Sequence, residues 1–432
     1  MAVRVPGRAV PVTTGCPSGP RAVDSAAAAL DLRDRALAAL DAGDPPAALT
    51  LAEDALTVLA GAGLAGGPDE AAVLVARAEI EEALDRFAAA RATATEVVGL
   101  LGGDAWPEAL DRDCQLLWCQ AHERLAGLDR LAGDHAAAIA RLTRVLDTAS
   151  AAFGEASRAV ASAANALGVV CKYAGDFAAA DAAYGRAVAA VGGLHGADPL
   201  TAAGLLHNLG GLAHSRGDPD TGIPLAERGL ALRAAALGAV HPDVARDRNA
   251  LGALYHLAGR HRDAGCAYRQ ALAVFEDCYG PGHFEVAMTC ANLAVLHADE
   301  GDFPAAEAAG RRVLPIMQAL LGPGDAEVGL TLLNLAAAVA GQRRYAEAAA
   351  LAARAEQVLA ARLPADHPHR TAARDAVTQL RKPPCDTSPR PKRPGATTAS
   401  PSSPSPRVSS QALPPTEHSA AQAGAPACSP DS

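Results

Sequence analysis

Two ladders of glycine with one common step constrain this chain more than any other feature. Gly154, Gly196, Gly238, Gly280 and Gly322 are 42 residues apart, and so are Gly133, Gly175, Gly217, Gly259 and Gly301. A fixed period of this size marks one supersecondary unit repeated along the chain and stacked on its neighbours. Gly133, Gly175, Gly217 and Gly301 each precede an aspartate, as Gly43 precedes Asp44. Glycine can end a helix in the left-handed conformation. An aspartate after it can accept the orphan N–H groups that open the next helix. Each Gly-Asp therefore reads as the tight turn inside a helical hairpin. The other ladder runs into proline, as in Gly238-Ala-Val-His241-Pro242 and Gly280-Pro281. That suits the end of one hairpin and the first turn of the next. His241-Pro242 and His367-Pro368 are accordingly read as structural, with the proline as helix starter.

Three series of small residues share the period. The first is Ala36, Ala78, Ala126, Gly168, Gly210, Gly252, Ala294 and Ala336. The second is Ala48, Ala90, Ala138, Ala180, Gly222, Ala264, Ala306 and Ala348. The third is Ala55, Val97, Val145, Ala187, Gly229, Ala271, Val313 and Ala355. Every step is 42 except one of 48, between the second and third members. Side chains this small let two helices approach to the short end of the usual axis separation, and a bulky replacement would overpack the contact. Tyr184, Tyr255 and Tyr268 fall where an aromatic side chain would pack between the helices, and are expected in the core. Half of the residues are apolar but only 3% are aromatic. Alanine supplies much of the apolar fraction, which favours close-packed helices over a sheet.

These offsets resemble the tetratricopeptide repeat. The family pattern of a Leu-Gly pair, an aromatic, then Ala, aromatic, Ala is met by Leu251-Gly252, Tyr255, Ala264, Tyr268 and Ala271, and largely by Leu167-Gly168, Ala180, Tyr184 and Ala187. The long period, the pairs Asn208-Leu209, Asn292-Leu293 and Asn334-Leu335, and the Leu-Gly-x-x-His-Pro linker are similar to the kinesin-light-chain subclass. The resemblance covers about residues 26–376 and implies an all-α, right-handed α-solenoid of eight helix pairs. The first two repeats depart from it, with Arg35 and Arg77 at the leucine position, and are read as atypical or capping units. The expected organisation is a disordered lead over 1–25, two atypical repeats over 26–101, an insertion loop over 102–111 around Trp106-Pro107, and six regular repeats over 112–376. A disordered, basic Pro/Ser-rich tail follows over 381–432, where Ser388, Ser400, Ser403 and Ser405 each precede proline.

The charge pattern narrows the function classes. The first 23 residues hold three arginines and no acid, and the stretch from Arg381 holds six basic against three acidic residues. The net charge of −10 therefore belongs to the body between them, which is more acidic still. An acidic body argues against gripping nucleic acid through its phosphates and would suit a basic partner segment. No long apolar run predicts a membrane span. The nine cysteines form no CxxC pair or regular framework, as expected of reduced, mostly buried thiols in a cytoplasmic protein. The arginine-rich start has some character of an organelle transit peptide, but Pro6, Pro11, Pro17 and Pro20 work against the helix such a signal needs. No Gly-x-Ser-x-Gly, Walker loop or His-Glu-x-x-His occurs, so no enzyme and no cofactor are expected.

The resemblance also implies a site. In this family the first helices of successive repeats line a concave groove that holds partner segments. Carried over position by position, the groove would be lined by Asn165, Lys172, His207, Asn208, His214, Arg246, Asn249, His256, Asn292 and Asn334. An asparagine amide both donates and accepts, so a row of them could hold peptide main chain with little sequence demand. The same amides could instead bond between repeats and only stiffen the array. His214 and His256 recur at one repeat position, but a zinc ion needs its ligands about 2 Å from one point, whereas neighbouring repeats stand about a helix-packing distance apart. A metal site is therefore not expected. The function expected is a scaffold or adaptor that binds a peptide segment of a partner. The alternative is a regulatory sensor whose array binds a small ligand or signalling peptide. The heptad coiled coil that pairs kinesin light chains with a motor does not occur in this sequence, so motor attachment is not expected.

Overall fold

The computed structural model describes residues 20–41, 44–192, 199–365 and 367–381. Among the described residues there are seventeen α-helices and no strand: the chain is an all-α repeat solenoid. It divides into two units, one running to Ala250 and the other beginning at Leu251. The expected lead up to residue 19 and the tail from 382, with Ser388, Ser400, Ser403 and Ser405, lie outside the described residues, as do Gly43 and Gly196. No described helix is long and apolar enough to cross a membrane.

The first unit is a run of hairpins: α1 (Pro20–Asp41) with α2 (Pro45–Gly61), α3 (Pro68–Ala83) with α4 (Phe87–Leu100), α5 (Arg112–Leu131) with α6 (His135–Phe153), α7 (Arg158–Tyr173) with α8 (Phe177–Gly192), α9 (Pro199–Ser215) with α10 (Pro219–Leu237), and the start of α11 (Pro242–Leu257). The turn chemistry is the one the Gly-Asp pairs predict. Asp44, Asp134, Asp176 and Asp218 each accept the backbone N–H three residues on, at 2.9, 3.0, 3.0 and 3.2 Å. The glycine before the turn has φ of +80° at Gly133 and +79° at Gly175. Where the second and eighth repeats lack that glycine, Asp85 and Arg343 keep the conformation at φ +56° and +64°. The other ladder has a stricter need. Gly154 and Gly238 close α6 and α10 at φ/ψ of 82°/160° and 87°/157°, a region open essentially to glycine alone.

Helix α1 begins at Pro20, inside the stretch expected to be a disordered lead. Proline suits a first helical turn because its missing N–H has no intrahelical partner there. The residues around Trp106 run non-helically between α4 and α5 but are packed down. The Trp106 ring meets Trp118 edge-on at 5.3 Å and Phe153 at 6.1 Å, and Trp118 Nε1 donates to the Gly103 carbonyl at 3.0 Å.

The second unit contains the end of α11, then α12 (His261–Tyr279), α13 (Phe284–Asp299), α14 (Phe303–Leu321), α15 (Ala326–Gly341), α16 (Tyr345–Arg362) and α17 (Pro368–Arg381). Helix α17 is a seventeenth helix beyond the eight expected pairs. Ala373 is fully buried in it, and Leu380 packs on the Leu335, Val339 and Ala348 cluster. It covers the apolar face that the last hairpin would otherwise leave open, as terminal units of solenoids do. A capping role for histidine, which the sequence did not reveal, is also present. His241, His283 and His367 each accept, through Nδ1, the backbone N–H two residues on, at the openings of α11, α13 and α17.

Small residues face inward throughout. Ala55, Val97, Val145, Ala187, Ala271, Val313 and Ala355 are all fully buried, and so are the alanines of the second series up to Ala264. Two glycines of the first series stand where space is shortest. A Cβ at Gly168 would lie 2.6 Å from the Tyr184 ring, and one at Gly252 would lie 2.7 Å from Tyr268. Where the first series has alanine, the residue sixteen further on is not an aromatic: it is Ala52 for Ala36, Ala94 for Ala78 and Leu142 for Ala126. Tyr184 and Tyr268 are core residues as expected. Tyr255 lies at the edge of the core: it is half-buried in the last turn of α11, packs against the cluster of Ala264, Tyr268, Leu293 and Leu296, and has the Arg260 guanidinium 4.3 Å over its ring.

Candidate functional site

First helices of successive hairpins lie side by side in the first unit. Their shared face encloses a cavity of about 600 Å³, walled by α1, α3, α5 and α7 with Leu142 of α6 behind. The lining mixes apolar side chains, among them Val75, Leu117 and Val169, with charged ones. Four carboxylates, of Asp34, Glu79, Glu82 and Glu123, stand against three guanidinium groups, of Arg33, Arg124 and Arg130.

The cations are already engaged. Arg124 on α5 reaches across to α3, where it is paired with Glu79 and lies 3.5 Å from Glu82. Arg33 donates to Asp34 at 2.6 Å. The Arg130 guanidinium lies 4.6 Å over the Tyr173 ring, which Lys172 also faces at 5.1 Å. Glu123 differs from the other acids. One of its oxygens accepts the Ser162 hydroxyl at 2.7 Å, and among the described residues it makes no salt bridge. Burial pushes its carboxyl up to about 7, against the opposing pull of Ser162 and Arg124.

The expected groove residues sit as follows. Asn165 lines the cavity, and its Oδ1 accepts the Asn208 amide at 2.8 Å, from α7 to α9. Two members of the asparagine row are thus bonded to each other. His207 Nδ1 is 2.8 Å from Asp247 Oδ1, while Arg233 Nε donates to Asp247 Oδ2 at 2.8 Å. Asp247 thus bridges the His207 ring and the Arg233 guanidinium, one carboxylate oxygen to each. Asp247 itself is only 4% exposed. Lys172 and His214 are half-buried in the last turns of α7 and α9; Arg246 is paired with Asp243, and Asn249 is half-buried in α11. In the second unit His256 Nε2 meets Asp299 at 3.0 Å and its ring meets His261 edge-on at 5.6 Å. Asn292 on α13 and Asn334 on α15 are half-buried. Among the described residues no three His, Cys, Asp or Glu side chains gather so as to hold a metal ion. Burial pushes the thiols of Cys114 and Cys119 up to about 12, which leaves them poor nucleophiles.

Glu79, Glu123 and Arg124 were not among the expected groove residues. The signal for Glu123 lay in the period: it holds, in the third repeat, the position that Asn165, His207 and Asn249 hold in the next three.

Comparison with known proteins agrees with this architecture. A family model described as tetratricopeptide repeat matches residues 119–191, 201–277 and 280–361. Among solved structures, BtubC (BKLC) from P. vanneervenii is 23% identical, over 61% of this chain and 97% of its own, with a TM-score of 0.45. A putative kinesin light chain of Podosopora anserina with nearly identical repeats is 21% identical, over 43% and 87%, with a TM-score of 0.38. A Rap protein complexed with Competence and Sporulation Factor is 14% identical, over 72% and 85%, with a TM-score of 0.53. No curated protein matches the chain at a significant level.

Proposed function

The chain belongs to the tetratricopeptide repeat family, and we propose that it is a non-catalytic interaction scaffold that holds a peptide segment of a partner protein along its first helices. The observation that carries this reading is the cavity walled by α1, α3, α5 and α7, which joins apolar walls to fixed polar groups at the scale of several side chains. Asn165, His207 and Asn249 extend the register of Glu123 beyond it, with Asn208 one position on; with Lys172, His214 and Arg246 they are the proposed surface of the first unit, and His256, Asn292 and Asn334 that of the second. The acidic body favours a partner segment with basic character.

A second reading is supported by the cavity's size. About 600 Å³ lies within the range of small-ligand sites, so a regulatory sensor for a small ligand or signalling peptide is the alternative. One experiment separates them. Gly127 lies on the cavity wall with open space where a Cβ would stand, so Gly127→Phe fills the cavity without disturbing the core. Partner capture from the native cells, with wild type, Gly127→Phe and the Asn249→Ala/Asn292→Ala double variant, is expected to return one protein with wild type and to lose it with the others. A metabolite retained by wild type and displaced in Gly127→Phe, with no protein partner, would favour the sensor. Capture unaffected by any of these changes would reject the surface.

A further inference from the structure

We propose that the cavity of the first unit seats a lysine or arginine side chain of the bound segment on the carboxylate of Glu123. This rests on the interaction-scaffold reading above and names the chemistry of its occupant.

The argument starts from which charges in the cavity are spent. Arg124 is held by Glu79 and Glu82, Arg33 by Asp34, and Arg130 lies over the Tyr173 ring. Those three carboxylates therefore already face a cation. Glu123 is paired with none: one oxygen takes the Ser162 hydroxyl, and the other has no hydrogen-bond partner among the described residues. A carboxylate partly withdrawn from water among apolar and charged side chains is costly to ionise, and a cation brought within about 4 Å relieves that cost. The raised proton affinity of Glu123 is the mark of this unmet need.

The walls suit the rest of such a side chain. Val75, Leu117, Leu142 and Val169 line the same space, and the methylene stem of lysine or arginine packs on apolar surface while its head stays on a charge. An acidic side chain would fit poorly. It would meet four carboxylates and would have to take Arg124 from Glu79 and Glu82. Ser162 adds orientation: its hydroxyl fixes one oxygen of Glu123 and so presents the other.

The test uses the full chain and a library of random peptides displayed on phage. Enriched sequences are synthesised and titrated by fluorescence anisotropy against wild type, Glu123→Gln, Gly127→Phe and Glu53→Gln, the last an exposed carboxylate on α2 outside the cavity. The peptides are expected to share a lysine or arginine. Affinity should fall about tenfold or more in Glu123→Gln, fall comparably when that residue of the peptide becomes norleucine or citrulline, and fall little further when both changes are combined. Glu53→Gln should bind as wild type does. The peptide-side change keeps the test decisive even where Glu123→Gln perturbs folding. Tight binders without a cation, or a Glu123→Gln affinity within about twofold of wild type, overturn the proposal. If Gly127→Phe abolishes binding while Glu123→Gln does not, the seat is wrong and the scaffold surface stands. If no peptide binds, or Gly127→Phe changes nothing, both fall.

Discussion

Replacing Gly168 with alanine tests whether the glycines of the first small-residue series are there for space. Alanine is the better helix former by about 1 kcal/mol in a helix interior, so propensity alone predicts a stabilised protein. The structure predicts the reverse. The new methyl carbon would stand 2.6 Å from two ring carbons of Tyr184 and 2.9 Å from a third, against an ordinary contact of about 3.5–4.0 Å. Tyr184 is fully buried, so its ring cannot swing aside into water. Overpacking of this kind costs about 1–3 kcal/mol, and three clashing ring atoms place it at the upper end. The net loss is then about 1–2 kcal/mol after the propensity gain. Gly185 is the matched control: it lies in α8 of the same hairpin, is exposed, and has nothing within 4 Å of the point where a methyl carbon would stand. Gly185→Ala should stabilise by about 0.5–1 kcal/mol. Urea denaturation followed by circular dichroism measures both, and the penalty of Gly168→Ala should shrink on a Tyr184→Leu background. Equal, stabilising effects of the two alanines would refute the reasoning.

Four further outcomes follow from particular residues. Arg343 holds a left-handed turn position at φ +64° that glycine fills in other repeats, so Arg343→Gly should raise the denaturation midpoint, by about 1 kcal/mol in stability. His122 is fully buried against Trp118, and burial first, then Arg141 and Arg144, hold its imidazole down to about 4. A depressed folded value means that its contribution is present above about pH 6.5 and is lost as pH falls toward 4, roughly 3 kcal/mol in all; His122→Phe should flatten that part of a stability-against-pH series. Glu123 behaves oppositely, because its raised proton affinity makes the folded chain lose stability as pH rises from about 4.5 to 7. Glu123→Gln should therefore be more stable than wild type above pH 7, by about 1–3 kcal/mol, and equal to it below about pH 4.5 in the same urea series. Asp247→Ala would leave the mostly buried Arg233 guanidinium without its carboxylate, and thermal melts should show a loss of about 3–5 kcal/mol, more than Asp247→Asn.

The period was legible because two steps in each repeat admit few residues. Glycine is needed where α6, α10, α12 and α14 end, at φ near +80° to +87° with extended ψ, and small residues are needed where helices touch. Both requirements are written in single letters at fixed spacing. The start of α17 was legible, since Pro368 stands three steps of 42 after Pro242; its place as an unpaired cap was not, because nothing in the period says where the pairing of helices stops. Tyr255 matched the family's aromatic position and packs on the core, yet it is only half-buried, since position within a motif does not fix depth. The cavity was hidden for another reason. Its walls come mainly from the two repeats that depart most from the pattern and from the third, whereas the regular pattern points to Asn165 and the residues after it. That Asn165 bonds Asn208, and that Arg124 occupies Glu79 and Glu82 while Glu123 meets Ser162, depends on side-chain rotamers that no spacing encodes.

Amide hydrogen exchange on the full chain, with and without a saturating bound peptide or captured partner, tests the proposed binding face most directly. A segment lying in the cavity should slow exchange in α3, α5 and α7, whose side chains wall it, and leave α2, α4 and α6 nearly as they were. Protection confined to those second helices, or spread evenly over both sets, would contradict it.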